Sequence, residues 1–202
     1  MLLNILNVPN ILTFLRILMI PLVIGVFYFP ESWLTGPEKN FTATALFAAA
    51  ALTDWLDGYL ARKLNQMSAF GAFLDPVADK LMVASALIVL VWLDRLDPLI
   101  GIIIIGREIA ISALREWMAR IGEAKSVAVN FLGKIKTISQ MIAIPLLLFH
   151  ERVGSLDAQR IGTYLIWLAA LLTLISMVYY LKLAAPGVER TLSGLTPGRR
   201  RP

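Results

Sequence analysis

The chain has 202 residues, 58% of them hydrophobic, with no cysteine, a formal net charge of +5 and a mean hydropathy of +0.72. A soluble globular domain is nearer half apolar, and a chain without thiols has neither a disulfide framework nor thiolate chemistry. The apolar excess comes in blocks of about 20 residues, the length that crosses a ~30 Å hydrocarbon layer as helix, so the expected class is an all-α, polytopic membrane protein of one helical unit.

Residues 2 to 9 read either as a short amphipathic segment on the membrane surface or as an unstructured start. No Lys or Arg precedes Arg16, and no small-residue cleavage site follows the first apolar run, so no cleavable leader is expected. Six transmembrane helices are predicted, over 11–29, 41–62, 73–93, 98–120, 126–149 and 160–183. Turn residues separate them: Pro30 and Gly36–Pro37, Asp97–Pro98, Gly122, and Gly154–Ser155. The Pro/Gly-rich stretch 185–202 ends in Arg199, Arg200 and Arg201. It is expected to be a mobile basic tail, leaving residues 1–184 as a single transmembrane domain. Trp33, Trp92 and Tyr164 read as interfacial anchors, and Trp55 and Trp167 as packing residues. His150 reads as a plain interfacial residue.

Lys and Arg are unevenly shared between the two sets of loops. One set holds Lys39, Arg95, Arg152 and Arg160; the other holds Arg62, Lys63, Arg115, Arg120, Lys125, Lys134, Lys136, Lys182, Arg190 and the terminal arginines. The second side is therefore expected to face the cytoplasm, together with both termini.

Four acids lie on that side, in TDWLDGYLARKLNQMSAFGAFLDPVADK, residues 53–80. Asp54 and Asp57 fall in the last turns of the second predicted span, and Asp75 and Asp79 in the first turns of the third. Spacings of three and four put each pair on one helix face. Asp75 before Pro76 suits a helix cap followed by proline at the first helical position; alternatively the helix starts near Gly71 and Pro76 lies in its first turn. Two unit charges ~4 Å apart repel by ~4 kcal/mol at an effective dielectric of ~20, and four clustered carboxylates make several such pairs. Either some are protonated or divalent cations neutralise them. An all-oxygen ligand set favours Mg²⁺ or Mn²⁺, and two ions suit phosphoryl transfer. Gly58 and Ala61 leave that face without bulk, which suits either close helix packing or close approach of a nucleotide. Arg62 could hold a diphosphate or anchor the helix at the interface. Arg16, one or two turns beyond Thr13, could pair with one of the aspartates, help hold a diphosphate or snorkel to the surface.

Residues 54 to 79 read D-x2-D-G-x2-A-R-x8-G-x3-D-x3-D, which resembles the signature of the CDP-alcohol phosphatidyltransferase family. NVPNILTFLRILMIP, IIIIGREIAISALREWMA and VAVNFLGKIKT resemble the branch that makes phosphatidylglycerophosphate, and the likeness covers residues 5 to about 182. The resemblance implies six transmembrane helices and a homodimer in the bacterial inner membrane, with the active site open to the cytoplasm. It implies two metal ions, Mg²⁺ or Mn²⁺, held by Asp54, Asp57, Asp75 and Asp79, with Asp79 also the general base. It implies that Gly58 and Arg62 contact the CDP-lipid and that Asn10, Thr13 and Ser68 line the nucleotide pocket. The implied reaction transfers the phosphatidyl group from CDP-diacylglycerol to sn-glycerol 3-phosphate, giving phosphatidylglycerophosphate and CMP.

The motif does not name the alcohol. A glycerol 3-phosphate dianion needs basic partners, and two predicted spans supply them. Glu108, Ser112 and Arg115 share a helix face, as do Asn130, Lys134 and Thr137. Arg107, Arg115 and Lys134 are the expected acceptor cradle; the bland alternative is that the arginines pair with Glu108 or Glu116 to lock helices. Another acceptor (inositol phosphate, serine or phosphatidylglycerol) would use the same aspartates. A divalent-cation transporter would place its acids near the bilayer midplane and in repeated halves, and neither pattern is visible.

Overall fold

The computed structural model describes residues 7–63, 68–122 and 131–192. Within them the chain forms α1 (Val8–Gly25), a short 3₁₀ turn (Val26–Tyr28), α2 (Gly36–Lys63), α3 (Ala69–Trp92), α4 (Pro98–Arg120), α5 (Phe131–Phe149), a two-residue hairpin β1 (Arg152–Val153) and β2 (Leu156–Asp157), and α6 (Ala158–Leu192). The strands are antiparallel, Arg152 opposite Asp157 and Val153 opposite Leu156. Each predicted span overlaps one helix, and residues 126–130 of the fifth lie outside the described residues. Two helical stretches are long and apolar enough to cross a membrane by length and composition alone, Pro9–Tyr28 and Ala158–Pro186. The other four helices carry two or more ionisable side chains each, such as Asp75, Asp79 and Lys80 in α3 and Lys134 and Lys136 in α5.

Of the two starts left open for α3, the structure has the earlier one; the end of α6 and the setting of Trp167 differ from expectation. α3 is capped by Ser68, whose hydroxyl accepts from the Gly71 N–H at 2.9 Å. Asp75 is therefore not the cap, and Pro76 lies inside the helix, where it removes the bond to the Ala72 carbonyl. α6 runs through Pro186 to Leu192, past the expected start of the tail; residues 193–202 lie outside the described residues, as do residues 2–6. Trp167 is 54% exposed rather than packed, whereas Trp33, Trp92 and Tyr164 are exposed as anchors should be.

The chain divides into two compact units, Met1–Pro98 with Met141–Tyr164, and Leu99–Gln140 with Leu165–Pro202. In the first, α1 packs against both α2 and α3, which scarcely touch each other. Its core includes Val23 and Val26 of α1, Ala43, Phe47 and Ala50 of α2, and Ala78, Met82, Ala86 and Leu90 of α3. Gly162 lets α6 approach α5 closely: a Cβ there would stand 2.9 Å from Leu147 Cγ and 3.2 Å from the Ala143 carbonyl oxygen. In the second unit, Ile111 and Met118 of α4 pack against Tyr180 and Ala184 of α6.

Candidate active site

The buried stripe of each helix in the first unit turns polar at the same end. On α2 the stripe Ala43, Phe47, Ala50 continues to Asp54 and Asp57 at spacings of four and seven from Ala50. On α3 Asp75 and Asp79 precede Ala78 and Met82 by three residues each. On α1 the stripe runs back from Val23 to Arg16, Thr13 and Asn10, all buried. Because α1 lies against both other helices, its polar residues meet the acids of both.

Arg16 is the meeting point. Its side chain is 0% exposed. One Nη donates to Asp54 Oδ1 at 2.7 Å and to Asp79 Oδ1 at 2.6 Å, and the other to Asp57 Oδ2. The remaining nitrogen, Nε, is buried and has no hydrogen-bond partner. The Thr13 hydroxyl lies 2.6 Å from Asp75 Oδ1, 3.2 Å from the Pro9 carbonyl and 3.5 Å from Asp57 Oδ2. So α1 gathers all four motif acids, three through Arg16 and the fourth through Thr13. Asp54 and Asp79 keep 39% and 49% of their side chains exposed, whereas Asp57 keeps 4%. Among the acids paired with Arg16, Asp54 and Asp79 are therefore the ones that face solvent.

Beside the acids, the Asn10 amide donates to Ser68 Oγ at 3.2 Å, and the Ser68 hydroxyl can donate back to Asn10 Oδ1 at 3.2 Å. This ties the start of α1 to the cap of α3. Gly71 permits it, since a Cβ there would stand 2.5 Å from Asn10 Oδ1. Asn7 caps α1 in turn, accepting from the Asn10 N–H at 2.9 Å. Asn10 and Ser68 are thus bonded to each other, one turn of α1 from Thr13 and its contact with Asp75. Gly58 follows Asp57 on α2. The side chains of Arg62, Ala61 and Trp55 lie outside the described residues.

The donor set is chemically suited to a hard divalent cation: carboxylate oxygens only, and three negative charges left after Arg16 offsets one. Among the described residues, no three acids converge on a shared point at which a metal could bind. Instead Asp54, Asp57 and Asp79 each turn an oxygen to the guanidinium.

The second unit holds the other polar cluster. Arg107 is buried, donates to Glu108 at 3.1 Å and to Ser176 Oγ at 3.1 Å, and lies 5.8 Å from the Tyr180 ring centroid. Arg115 lies 5.3 Å from the same ring and donates to the Tyr180 hydroxyl at 3.3 Å. Lys136 is buried and ion-paired with Glu108. Arg107 and Arg115 are thus brought together on Tyr180, and Arg107 does pair with Glu108. Lys134 and Thr137 are exposed, and Asn130 lies outside the described residues. The face of α5 that turns inward is Lys136, Ser139, Gln140, Ala143, Ile144, Leu147. Lys136, Ser176 and Tyr180 escaped the sequence reading. The phase of Ala143 and Leu147 was the available signal for Lys136; nothing in the sequence singles out Tyr180.

The chain belongs to the CDP-alcohol phosphatidyltransferase family, whose profile matches residues 6–175. It is 45% identical, over a 183-residue alignment that covers 88% of this chain and 94% of the relative, to the CDP-diacylglycerol–glycerol-3-phosphate 3-phosphatidyltransferases of Escherichia coli K12 and Shigella flexneri. The enzyme of that name from Shigella boydii serotype 4 is similar to the same extent.

Proposed function

We propose that this chain transfers the phosphatidyl group of CDP-diacylglycerol to the 1-hydroxyl of sn-glycerol 3-phosphate, releasing CMP and forming phosphatidylglycerophosphate. The observation that carries this is the gathering of all four motif acids onto one turn of α1, in a chain that over 88% of its length is 45% identical to enzymes named for that reaction. The six helices cross the bilayer, with both termini and the acid cluster on the Lys/Arg-rich cytoplasmic side of a bacterial inner membrane. A homodimer is the assembly that the family resemblance implies.

Asp54, Asp57, Asp75 and Asp79 would hold two divalent ions, Mg²⁺ or Mn²⁺. Bound there, such ions offset the charge of the diphosphate and of the leaving CMP. The protein's own part is positioning and proton transfer. Thr13 and Arg16 fix the carboxylates. Asn10 and Ser68 offer an amide and a hydroxyl to the nucleotide, and Gly58 and Arg62 the approach to its diphosphate. Asp79, the most exposed of the acids paired with Arg16, takes the proton from the acceptor hydroxyl. The oxygen so freed bonds to the phosphorus carrying the diacylglycerol, the bond from that phosphorus to the bridging oxygen breaks, and CMP departs with the electron pair. For the acceptor's own phosphate, Arg107, Arg115 and Lys134 supply the positive charge, with Lys136 engaged by Glu108.

The decisive experiment is product identification by mass. The purified chain in detergent, given Mg²⁺ and CDP-diacylglycerol, is offered glycerol 3-phosphate, inositol phosphate, serine or phosphatidylglycerol in turn. Phosphatidylglycerophosphate should form and the other products should not; formation of any other product at a comparable rate would overturn the assignment. Replacing Asp79 with Asn should lower CMP release by ~10²–10⁴, and near-normal turnover would remove it from its role as base.

A further inference from the structure

We infer that Arg16 is a built-in counter-cation of the acid quartet, holding it together in the metal-free protein and competing with divalent ions for the same oxygens. The inference rests on reading the quartet as a metal centre, and it concerns what stands there before metal arrives.

Three observations carry it. Arg16 is wholly buried on the inward stripe of α1, a costly place for a charge unless it is paired. Among the described residues, all its ion pairs are with the quartet: Asp54, Asp57 and Asp79. And it uses the oxygens that a metal would need, Asp54 Oδ1, Asp57 Oδ2 and Asp79 Oδ1. The quartet alone carries four negative charges, whose mutual repulsion would push the acid-bearing ends of α2 and α3 apart. One guanidinium with two donating ends answers three of those acids at once. It cannot answer them fully, since three negative charges remain.

The remainder sets how the site behaves. With Arg16 in place one divalent ion leaves a net charge of minus one, and two make it plus one. The site therefore attracts the anionic diphosphate only after both ions have bound. Without Arg16 two ions reach only neutrality. A guanidinium in bonding contact with the ligand oxygens also raises the cost of bringing a metal in, because like charges meet in a poorly solvated place. Arg16 is thus a positioning residue that exchanges metal affinity for stability of the empty site.

The sign of the effect on metal affinity tests this. Mn²⁺ alone is titrated into the full-length chain in detergent, with free Mn²⁺ read from its electron paramagnetic resonance signal. Thermal unfolding is followed with and without the ion. Wild type is compared with Arg16→Gln, Arg16→Met and Arg16→Lys. The two neutral variants should bind Mn²⁺ at least about tenfold more tightly than wild type. Their metal-free unfolding midpoints should fall, and the gap should close in saturating Mn²⁺. Arg16→Lys, which keeps the charge, should bind Mn²⁺ nearly as wild type does. Unchanged or weaker binding in the neutral variants, with a midpoint deficit that Mn²⁺ does not close, would overturn the inference and leave Arg16 as ordinary packing. Failure of both neutral variants to fold in Mn²⁺ would overturn it too, since the ions could not then take over from the guanidinium. If wild type itself bound no Mn²⁺, the metal reading of the quartet would fall along with it. Normal binding by wild type and unaltered binding by the variants would sink the counter-cation alone.

Discussion

A single methyl group separates Gly71 from a broken site. The Cβ of any other residue there would stand 2.5 Å from Asn10 Oδ1 and 3.1 Å from Ser68 Oγ, and the first of these is closer than such contacts are ever found. Asn10 is buried and held by Ser68, so it cannot simply swing aside. Gly71→Ala should therefore part the start of α1 from the cap of α3. We expect the KM for CDP-diacylglycerol to rise about tenfold or more, a loss of roughly 1.4 kcal/mol or more of binding, with a smaller change in the KM for glycerol 3-phosphate. Steady-state CMP release with each substrate varied in turn checks this. Equal effects on both would mean that Asn10 and Ser68 serve the frame rather than the nucleotide. The motif glycine is thus explained by the neighbour it must admit.

Helix ends decide much at the next scale up. The last carbonyls of any helix lack partners within it, and at the end of α5 a side chain from another loop supplies them. Arg95 donates to the Leu148 carbonyl at 2.8 Å and the Leu147 carbonyl at 3.4 Å, and its other Nη donates to Asn40 Oδ1 at 2.7 Å. Asn40 in turn donates to Glu151 at 3.1 Å. One arginine between α3 and α4 thereby ties α5 to the start of α2. Removing it strands buried acceptors, each costing about 1–3 kcal/mol. Arg95→Met should lower the thermal unfolding midpoint in detergent while both KM values stay as they are at low temperature. Loss of activity with an unchanged midpoint would contradict that structural role. Pro76 shows the opposite case, a helix interior that gives up the Ala72 carbonyl bond within one turn of Asp75 and Asp79.

Across the whole molecule, charge is sorted by unit. The first gathers acids around Arg16, while the second gathers Arg107, Arg115 and Lys136 around Glu108 and Tyr180. A nucleotide held through cations needs the first kind of surface, and a small phosphate dianion needs the second. Lys136 is engaged by Glu108, whereas Lys134 is exposed. Lys134→Ala should raise the KM for glycerol 3-phosphate far more than that for CDP-diacylglycerol. Equal changes in both, or none, would take Lys134 out of acceptor recognition and leave that charge to the arginines.

The motif that holds the four aspartates, Gly58, Arg62 and Gly71 is legible in the sequence because it is defined by residue identity and spacing alone. Six apolar blocks of about 20 residues each fall on a helix, the form that satisfies backbone polar groups within a single segment. What remained hidden depended on neighbours distant in the chain. Helix phase alone did not choose between the Lys134 and Lys136 faces of α5; burial of Ala143 and Leu147 chose. Ser68 rather than Asp75 caps α3, and α6 continues through Pro186 to Leu192. Above all, Arg16 was one charge in an apolar run with three open readings. Only the packing of α1 against both α2 and α3 brings three acids within reach of its guanidinium, because a long-range ion pair is set by where helices meet and not by the order of residues along any one of them.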